Sequence, residues 1–310
     1  MTPMKKFFLF IAFACFAWVL GAQNEALVTH YQVAPILINP AYAGFSGTHQ
    51  LFFNARTQWI AFPDAPKTVG VQYSGPIGNT FGLGVGVMTE SAARLNNLRV
   101  RLNYAFRFNL DETVKLSVGF STEYKQMRLG NNILTQAIYD FDDIINGAVD
   151  GRQLFDASFG VFGTFNDRTF VGLSFANLIS ARLDDIVTSA EESTFLNHYV
   201  IFAGHRFDFN NNAVSLEPSL MIRQIRDAPF QADINLKLGF LNNRVMGGIS
   251  YRSLKSLGFL FGSEVSNSFR LFYTFDMTLQ DIQQFSSGAH ELTVGVGLNT
   301  PDKRARLRNR

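Results

Sequence analysis

Apolar and polar residues alternate with a period of two along most of this chain, in stretches of ten or more residues. In the stretch 99–109 every even-numbered residue is Val, Leu, Tyr or Phe, and every odd-numbered residue is Arg, Asn or Ala. The stretches 114–124 and 269–276 follow the same pattern closely. Period two is the spacing of side chains on one face of a β-strand. Soluble sandwiches alternate too, but their strands usually have about 5 or 6 residues, so strands of this length favour a sheet that crosses a lipid bilayer.

A tilted strand needs about 9 to 11 residues to cross a bilayer, and a sheet in lipid must close so that no edge is left unpaired. We therefore predict an all-β fold, a transmembrane outer-membrane antiparallel β-barrel of about 14 strands over residues 46–298, with apolar side chains facing lipid and polar ones facing the lumen. The strands are predicted near 46–59, 66–77, 80–89, 95–109, 112–127, 152–166, 168–176, 194–209, 212–224, 229–240, 243–252, 255–263, 267–278 and 287–298.

The connections between these strands give an independent check on the barrel. Counted from a periplasmic N-terminus, every second connection is a tight turn rich in Asn, Asp and Gly, which tolerate positive φ. The two longest connections, 128–151 and 177–193, fall on the opposite side and are predicted to be external loops that bind cargo. Their acidic clusters could bind divalent cations or a basic partner, or be ordinary solvated charge. The candidate contact residues are Ile133, Tyr139, Asp142, Asp143, Asp184 and Asp185.

Both ends of the chain differ from the predicted barrel. Residues 1–22 have a positive start at Lys5 and Lys6, an apolar stretch and small residues at the end, which predicts a signal peptide cleaved after Ala22. An uncleaved anchor and a lipoprotein modified at Cys15, the only cysteine, are the alternatives. Residues 23–45 are expected to lie at or inside the barrel. The basic residues 299–310 form a predicted periplasmic tail, which either docks on an acidic partner or is solvated.

Composition and scattered motifs argue against catalysis and against nucleic-acid binding. Only 17% of residues are charged, against about 25% on average, and the net charge of +2 implies no nucleic-acid partner. The best enzyme hypothesis is a surface hydrolase in which Asp184 or Asp185 acts with His198. A His beside Tyr199 is more typical of a membrane-interface belt. Because the five histidines show no paired ligand spacing, we predict no catalytic, cofactor or metal site.

Short motifs occur in a fixed order along the chain. They are Asn39-Pro40-Ala41-Tyr42-Ala43-Gly44, Arg56-Thr57-Gln58-Trp59, Ala65-Pro66-Lys67-Thr68, Leu216-Glu217-Pro218-Ser219, Tyr251-Arg252 and Gly288-Ala289-His290-Glu291. The combination resembles the PorP/SprF family of type IX secretion system outer-membrane proteins of Bacteroidota, over most of the mature chain. The residues that carry this resemblance most specifically are Asn39, Pro40, Ala41, Tyr42, Gly44, Arg56, Gln58, Trp59, Pro66, Gly288, His290 and Glu291.

The resemblance implies an accessory or anchoring subunit of a protein export and gliding machinery. Its implied partners are a secreted cargo protein with a C-terminal sorting domain, periplasmic ring lipoproteins and outer-membrane lipid. The alternative is a diffusion pore for small solutes, because mixed charges in a lumen can either hydrate a channel or pair with one another and hold a plug. The charges predicted to face the lumen are Arg99, Arg101, Arg107, Lys115, Glu123, Asp233, Lys237 and Arg270.

Overall fold

The computed structural model describes residues 29–62, 64–92, 95–129, 151–179, 181–182, 198–210, 213–225, 230–253, 255–266, 268–279 and 287–298. The predicted signal peptide, residues 23–28 and the basic tail lie outside these ranges. Within them, no helix is long and apolar enough to cross a membrane.

Fourteen antiparallel strands of the described chain form one closed barrel, as the alternation predicts. They are β1 His49–Thr57, β2 Lys67–Ile77, β3 Phe81–Ala92, β4 Leu95–Asn109, β5 Val114–Leu129, β6 Arg152–Phe165, β7 Thr169–Phe175, β8 Tyr199–His205, β9 Val214–Gln224, β10 Gln231–Phe240, β11 Val245–Arg252, β12 Ser256–Ser266, β13 Phe269–Thr278 and β14 Ala289–Leu298. A two-residue strand Ala181–Arg182 pairs with β6 beyond the end of β7, and Phe207–Phe209 continues β8 along β9.

Closure of the barrel joins its first strand to its last. Each strand pairs with its neighbours in sequence, and β1 pairs with both β2 and β14. The register at this seam sets His49 opposite Leu298 and Arg56 opposite Glu291. Every strand therefore has two partners, so no strand edge faces lipid without hydrogen bonds.

Alternation sets the two faces of the wall. On β5, for example, Phe120 is 51% exposed on the outer face, whereas the neighbouring Ser121 is 2% exposed on the inner face. The outer face carries Val, Leu, Ile and Phe around the whole barrel, and the buried inner face carries Asn, Ser, Thr, Gln and charged residues. This is the arrangement of a barrel whose outer face contacts lipid and whose lumen is polar.

The tight turns lie at one end of the barrel and the long connections at the other. In the tight turns Asn166, Asp167, Asn210, Asn242 and Asn243 have positive φ, a conformation that Asn and Asp adopt more readily than other residues with side chains. We assign this end to the periplasm and the opposite end to the cell exterior.

Some strand bounds differ from the sequence-based expectation. The first strand was expected to reach 59 but ends at Thr57, because Trp59 has a φ of 51° and the backbone there leaves the ladder. The N–H of Ile60 then donates to the carbonyl of Gly288, 3.2 Å away, and so ties this outer loop to the start of β14. β12 runs to Ser266, three residues beyond expectation, because a bulge between Glu264 and Ser266 restores its pairing with β13.

The facing of the wall yields a direct test at the middle of β4. Leu102 lies on the outer face, 38% exposed, halfway along the strand. An Arg on the lipid face at the bilayer midplane costs roughly 2 to 4 kcal/mol. We expect Leu102→Arg to lower the amount of heat-modifiable barrel in outer-membrane fractions severalfold, while Leu102→Ala assembles normally. Equal assembly of the two variants would mean that this face is not in lipid.

Candidate functional site

The lumen of the barrel contains the start of the described chain, residues 29–45, which we call the lumenal segment. It consists of three single-turn 3-10 helices, His30–Gln32, Pro35–Leu37 and Pro40–Tyr42. Proline starts the second and third turns, where its missing N–H is not needed and its fixed φ is suitable. The segment begins near the outer end of the barrel and reaches the periplasmic end at Gly44, where β1 soon begins.

A cluster of charged side chains holds the first residues of the segment. Glu291 of β14 accepts hydrogen bonds from the backbone N–H groups of Thr29 (2.8 Å) and His30 (3.2 Å). Nη1 of Arg56, on β1, lies 3.0 Å from Glu291 Oε2, 2.7 Å from Asp276 Oδ2 and 2.9 Å from the Thr29 hydroxyl oxygen. All these groups are buried. A buried charge needs such partners, because its desolvation is otherwise uncompensated.

A second arginine extends this cluster to further strands. Arg252 of β11 donates from Nη2 to the Thr29 hydroxyl at 2.7 Å, and it forms ion pairs with Asp276 (3.2 Å) and Asp233 (3.3 Å). The ring of His30 is hydrogen-bonded to the hydroxyls of Thr293 (2.6 Å) and Thr274 (2.7 Å). We call the set Thr29, His30, Arg56, Asp233, Arg252, Asp276 and Glu291 the outer latch. It ties the segment to five strands, β1, β10, β11, β13 and β14.

The middle of the segment is held by polar side chains of the wall. Asn235 of β10 donates to the Tyr31 hydroxyl and accepts from the Gln32 amide, both at 2.8 Å. Arg101 donates to the carbonyl of Leu37 at 3.1 Å, and Ser174 donates to the carbonyl of Ile38 at 2.7 Å. These wall side chains thus supply bonds that the irregular backbone of the segment lacks internally.

The motif Asn39-Pro40-Ala41 sits where the wall has no side chains. Asn39 is fully buried; its Oδ1 accepts from the N–H of Ala41 (2.9 Å), and its Nδ2 donates to the carbonyls of Val161 (2.9 Å) and Leu173 (3.2 Å). Pro40 and Ala41 pack onto Gly119, where a Cβ would approach the Cα of Ala41 to 2.5 Å. Close approach of this kind requires glycine in the strand.

Gly44, near the end of the segment, also lies where there is no room for a side chain. Its φ is +63°, and a Cβ on it would lie 2.6 Å from the carbonyl oxygen of Gly75. Its N–H donates to the Ser74 hydroxyl at 3.0 Å, and its carbonyl accepts from Arg107 Nη1 at 2.8 Å. Only glycine combines this backbone conformation with so little space.

Except for Tyr42, which belongs to the lumenal segment, the remaining motif residues lie away from that segment. The backbone N–H of Gln58 donates to the carbonyl of Pro66 at 2.9 Å, and Trp59 is exposed in the loop between β1 and β2. Gly288 has a φ of +87° at the start of β14. His290 is on the outer face, where its Nδ1 is hydrogen-bonded to the Tyr273 hydroxyl at 2.6 Å. Tyr42 packs edge to face on Phe162. The motifs therefore divide between the segment, the latch and the outer rim.

The eight charges predicted to face the lumen lie on the inner face of the wall, and most of those described here have a counter-ion or a carbonyl partner. Arg101 pairs with Glu123. Lys115 pairs with Asp167 at 2.7 Å and Lys237 with Glu217 at 2.6 Å. The guanidinium of Arg270 lies over the Phe52 ring, 5.8 Å from its centroid. Arg99 lines the same small cavity as Arg101 and Glu123.

Sequence reasoning missed Thr29, His30 and Asp276 as site residues of the outer latch, and it named Arg252 only as part of the Tyr251-Arg252 motif. Alternation does place Asp276 on the polar face of its strand, but it gives no reason to join that residue to Arg56 or Arg252. A rule of pairing could have found them, because buried charges on the inner face need partners at the same level along the barrel axis.

The residues of the other predicted sites do not form a second constellation in the described chain. Outside the described residues lie Ile133, Tyr139, Asp142, Asp143, Asp184 and Asp185. Of the residues in the hydrolase hypothesis, the structure therefore describes only His198. That histidine is buried, and its Nδ1 accepts a hydrogen bond from the amide of Asn177. Among the described residues, no group of three or more His, Asp or Glu side chains is arranged to hold a metal ion.

Comparison with known families identifies the kind of protein that carries this site. The family described as type IX secretion system membrane protein PorP/SprF matches residues 20–296. The chain belongs to the PorP/SprF family. It is therefore a type IX secretion component of the bacterial outer membrane, in a family of secretion proteins that interact with other parts of the machinery. No curated protein matches it.

Several solved barrels are similar to this PorP/SprF protein. The CymD monoaromatic hydrocarbon channel is 10% identical, with a TM-score of 0.53 and coverage of 91% of this chain and 95% of that one. The toluene transporter TbuX of Ralstonia pickettii is 9% identical, with a TM-score of 0.47 and coverage of 85% and 92%. Omp33 of Acinetobacter baumannii is 7% identical, with a TM-score of 0.46 and coverage of 81% and 98%. At this identity, the likeness to CymD shows the fold alone.

The outer latch predicts how the lumenal segment of this PorP/SprF protein can be loosened. Arg56→Ala leaves Glu291 buried without its arginine, and breaking a buried ion pair costs about 3 to 5 kcal/mol. We expect a cysteine placed at the fully buried Ala34 to react with a maleimide at least tenfold faster in the Arg56→Ala background.

The control for this test is Lys115→Ala, which removes an exposed ion pair with Asp167. Exposed pairs contribute about 0 to 1 kcal/mol, so labelling at Ala34→Cys should stay near the rate of the parent. If labelling is equally slow in all three backgrounds, the latch does not hold the segment.

Proposed function

We propose that this protein is an accessory, anchoring subunit of type IX secretion. It binds a secreted cargo protein with a C-terminal sorting domain at its outer loops, and it contacts periplasmic ring lipoproteins at its inner end. The observation that carries the proposal is the lumenal segment, because a barrel filled from its outer half to its periplasmic end is suited to support a complex and not to pass solutes.

The contacts of the segment favour this role over a diffusion pore. Its three turns are bonded to strands from both halves of the barrel, from Arg101 on β4 to Asn235 on β10. The lumenal charges are used in pairs or on carbonyls of the segment, as in Arg107 with Gly44. Paired charges hold a plug in place, whereas a conducting lumen needs hydrated ones.

The outer end of the barrel offers the room for cargo. The two longest gaps between neighbouring strands, after β5 and after β7, both open at this end. A rigid wall allows such loops to vary without loss of assembly. The candidate residues for cargo contact are Ile133 and Tyr139 with the acidic groups of Asp142, Asp143, Asp184 and Asp185. Apolar side chains such as Ile133 and Tyr139 are of the kind that protein partners bind.

Catalysis has little support in this arrangement. The family and the similar barrels are secretion or transport proteins. The ionisable groups best placed for chemistry, in the outer latch, are occupied with one another and with the backbone of Thr29 and His30. They hold the segment and leave no open position for a substrate.

Exchange of the outer loop between β5 and β6 tests the cargo contact. Replacing 132–147 by a short Gly/Ser linker should leave a heat-modifiable barrel in the outer membrane, while export or surface retention of cargo falls severalfold. The matched control replaces 280–286, another connection at the outer end, and should leave cargo handling unchanged. Normal cargo handling by the assembled 132–147 variant would move the contact away from this loop.

A further inference from the structure

The lumenal segment fills the barrel unevenly and leaves a cavity of about 220 Å³ at the periplasmic end. The cavity lies between the segment and strands β6 to β10. Six of its seventeen lining residues are aromatic, namely Tyr31, Tyr42 and Phe45 of the segment and Phe162, Phe170 and Phe202 of the barrel, and eight are polar or charged. We call it the periplasmic pocket.

The aromatic walls of the pocket are packed against one another. Phe45 and Phe162 meet edge to face with centroids 4.7 Å apart, and Tyr42 and Phe162 do so at 5.1 Å. Phe162 in turn stacks on Phe202 at 5.8 Å. Rings in these arrangements support each other and keep their rotamers, so the pocket is preformed in the folded chain.

Two hydroxyl groups of the lining have no partner within the described chain. The Tyr42 hydroxyl makes no hydrogen bond with any described residue, whereas the Thr164 hydroxyl, also without a hydrogen bond, has almost no accessible surface and does not face the cavity. On another side the ion pair of Lys237 with Glu217 reaches the lining. A buried hydroxyl without a partner is costly. The pocket therefore suits an aromatic ring that also carries a polar end.

The pocket extends from the periplasmic ends of β6 to β8 up to the first turn of the segment. Its lower rim is formed by residues of the periplasmic ends of β6 to β8, Asp167, Arg168 and Arg206. Its roof is the first turn of the segment, where Tyr31 and Gln32 are bonded to Asn235. A molecule that enters from the periplasmic end meets this turn of the segment, an arrangement that suits a docking pocket.

Size limits what the pocket can hold. A cavity of about 150 Å³ is enough for benzene, so about 220 Å³ accepts one substituted ring and not a folded peptide. The charged rim, with Arg168 and Arg206 both within 3.2 Å of Asp208, offers polar groups to whatever carries that ring. A polypeptide that presents one aromatic side chain matches both features.

We propose that the periplasmic pocket is the docking site for one aromatic side chain of a periplasmic polypeptide partner. The proposal rests on the proposed function, since it names the place on the barrel where the periplasmic machinery is held. The ring is buried among Tyr42, Phe45, Phe162 and Phe202, and its polar end meets the hydroxyl of Tyr42.

The test fills the pocket with an indole. Thr164→Trp on β6 and, as a second variant, Ser219→Trp on β9 place the new ring on the lining. Gln50→Trp is the matched control, because Gln50 lies near the periplasmic end of β1, seven strands from β8 in either direction around the barrel, and does not line the pocket. Heat-modifiability establishes that each variant is assembled.

Two readouts are taken on the full-length barrel. The first is binding of 4-fluorophenol to the purified protein, followed by ¹⁹F NMR line broadening, with the Gln50→Trp protein correcting for uptake by the detergent. The second is co-purification of ring lipoproteins from the native host. We expect both to fall roughly tenfold or more in an assembled pocket variant, as for the loss of a central aromatic anchor, and to persist in Gln50→Trp.

The outcomes separate the pocket from the function it serves. If the ¹⁹F signal of 4-fluorophenol broadens equally in the parent and in both pocket variants, the pocket is not a binding site for an aromatic ring. The variants could also lose the broadening of the 4-fluorophenol signal while the lipoproteins still co-purify with them. That result would show that the pocket does not hold a side chain of the partner. Absence of lipoproteins from the parent itself contradicts the periplasmic contact in the proposed function, and with it the polypeptide occupant.

Discussion

The ion pair between Arg56 and Glu291 joins the two ends of the barrel and also holds its contents. The two residues face each other across the β1–β14 seam, where the sheet closes. Both side chains point into the lumen and bind Thr29, the first residue of the lumenal segment that the structure describes. Closure and filling of the barrel thus depend on the same buried contact. Because removal of one partner leaves an uncompensated charge, such a pair is strongly sensitive to its register.

The composition of the segment follows from the space that the wall leaves. Inner-face glycines at 82, 119 and 160 bring the backbone of the segment against the sheet, and Ala41 and Ala43 are small enough to fit there. The internal backbone hydrogen bonds of the segment close only single turns, and helices this short are not stable in isolation. Arg101, Arg107 and Ser174 supply the missing donors, so the polar inner face stabilises the segment instead of hydrating a channel.

The sequence predicts the wall better than the site. Alternation depends only on local spacing, and for that reason it located all fourteen strands, with errors mainly at ends such as 58–59, where Trp59 leaves the ladder through positive φ. The latch depends on contacts between residues more than 200 positions apart, as between Thr29 and Glu291. Local patterns contain no information on that register. Family resemblance points to Arg56, Glu291 and the Tyr251-Arg252 motif, but not to Asp276, which completes the cluster.

Single-channel conductance of the purified full-length barrel in a planar bilayer tests most directly whether residues 29–45 close the lumen. The contacts of the segment predict that the intact protein shows no steady open level. Removal of residues 29–44 should produce one, since it empties the space between Arg101 on one side and Asn235 on the other. A large, steady conductance from the intact chain would contradict the account, because it would require an open path past a segment that the latch and the wall hold in place.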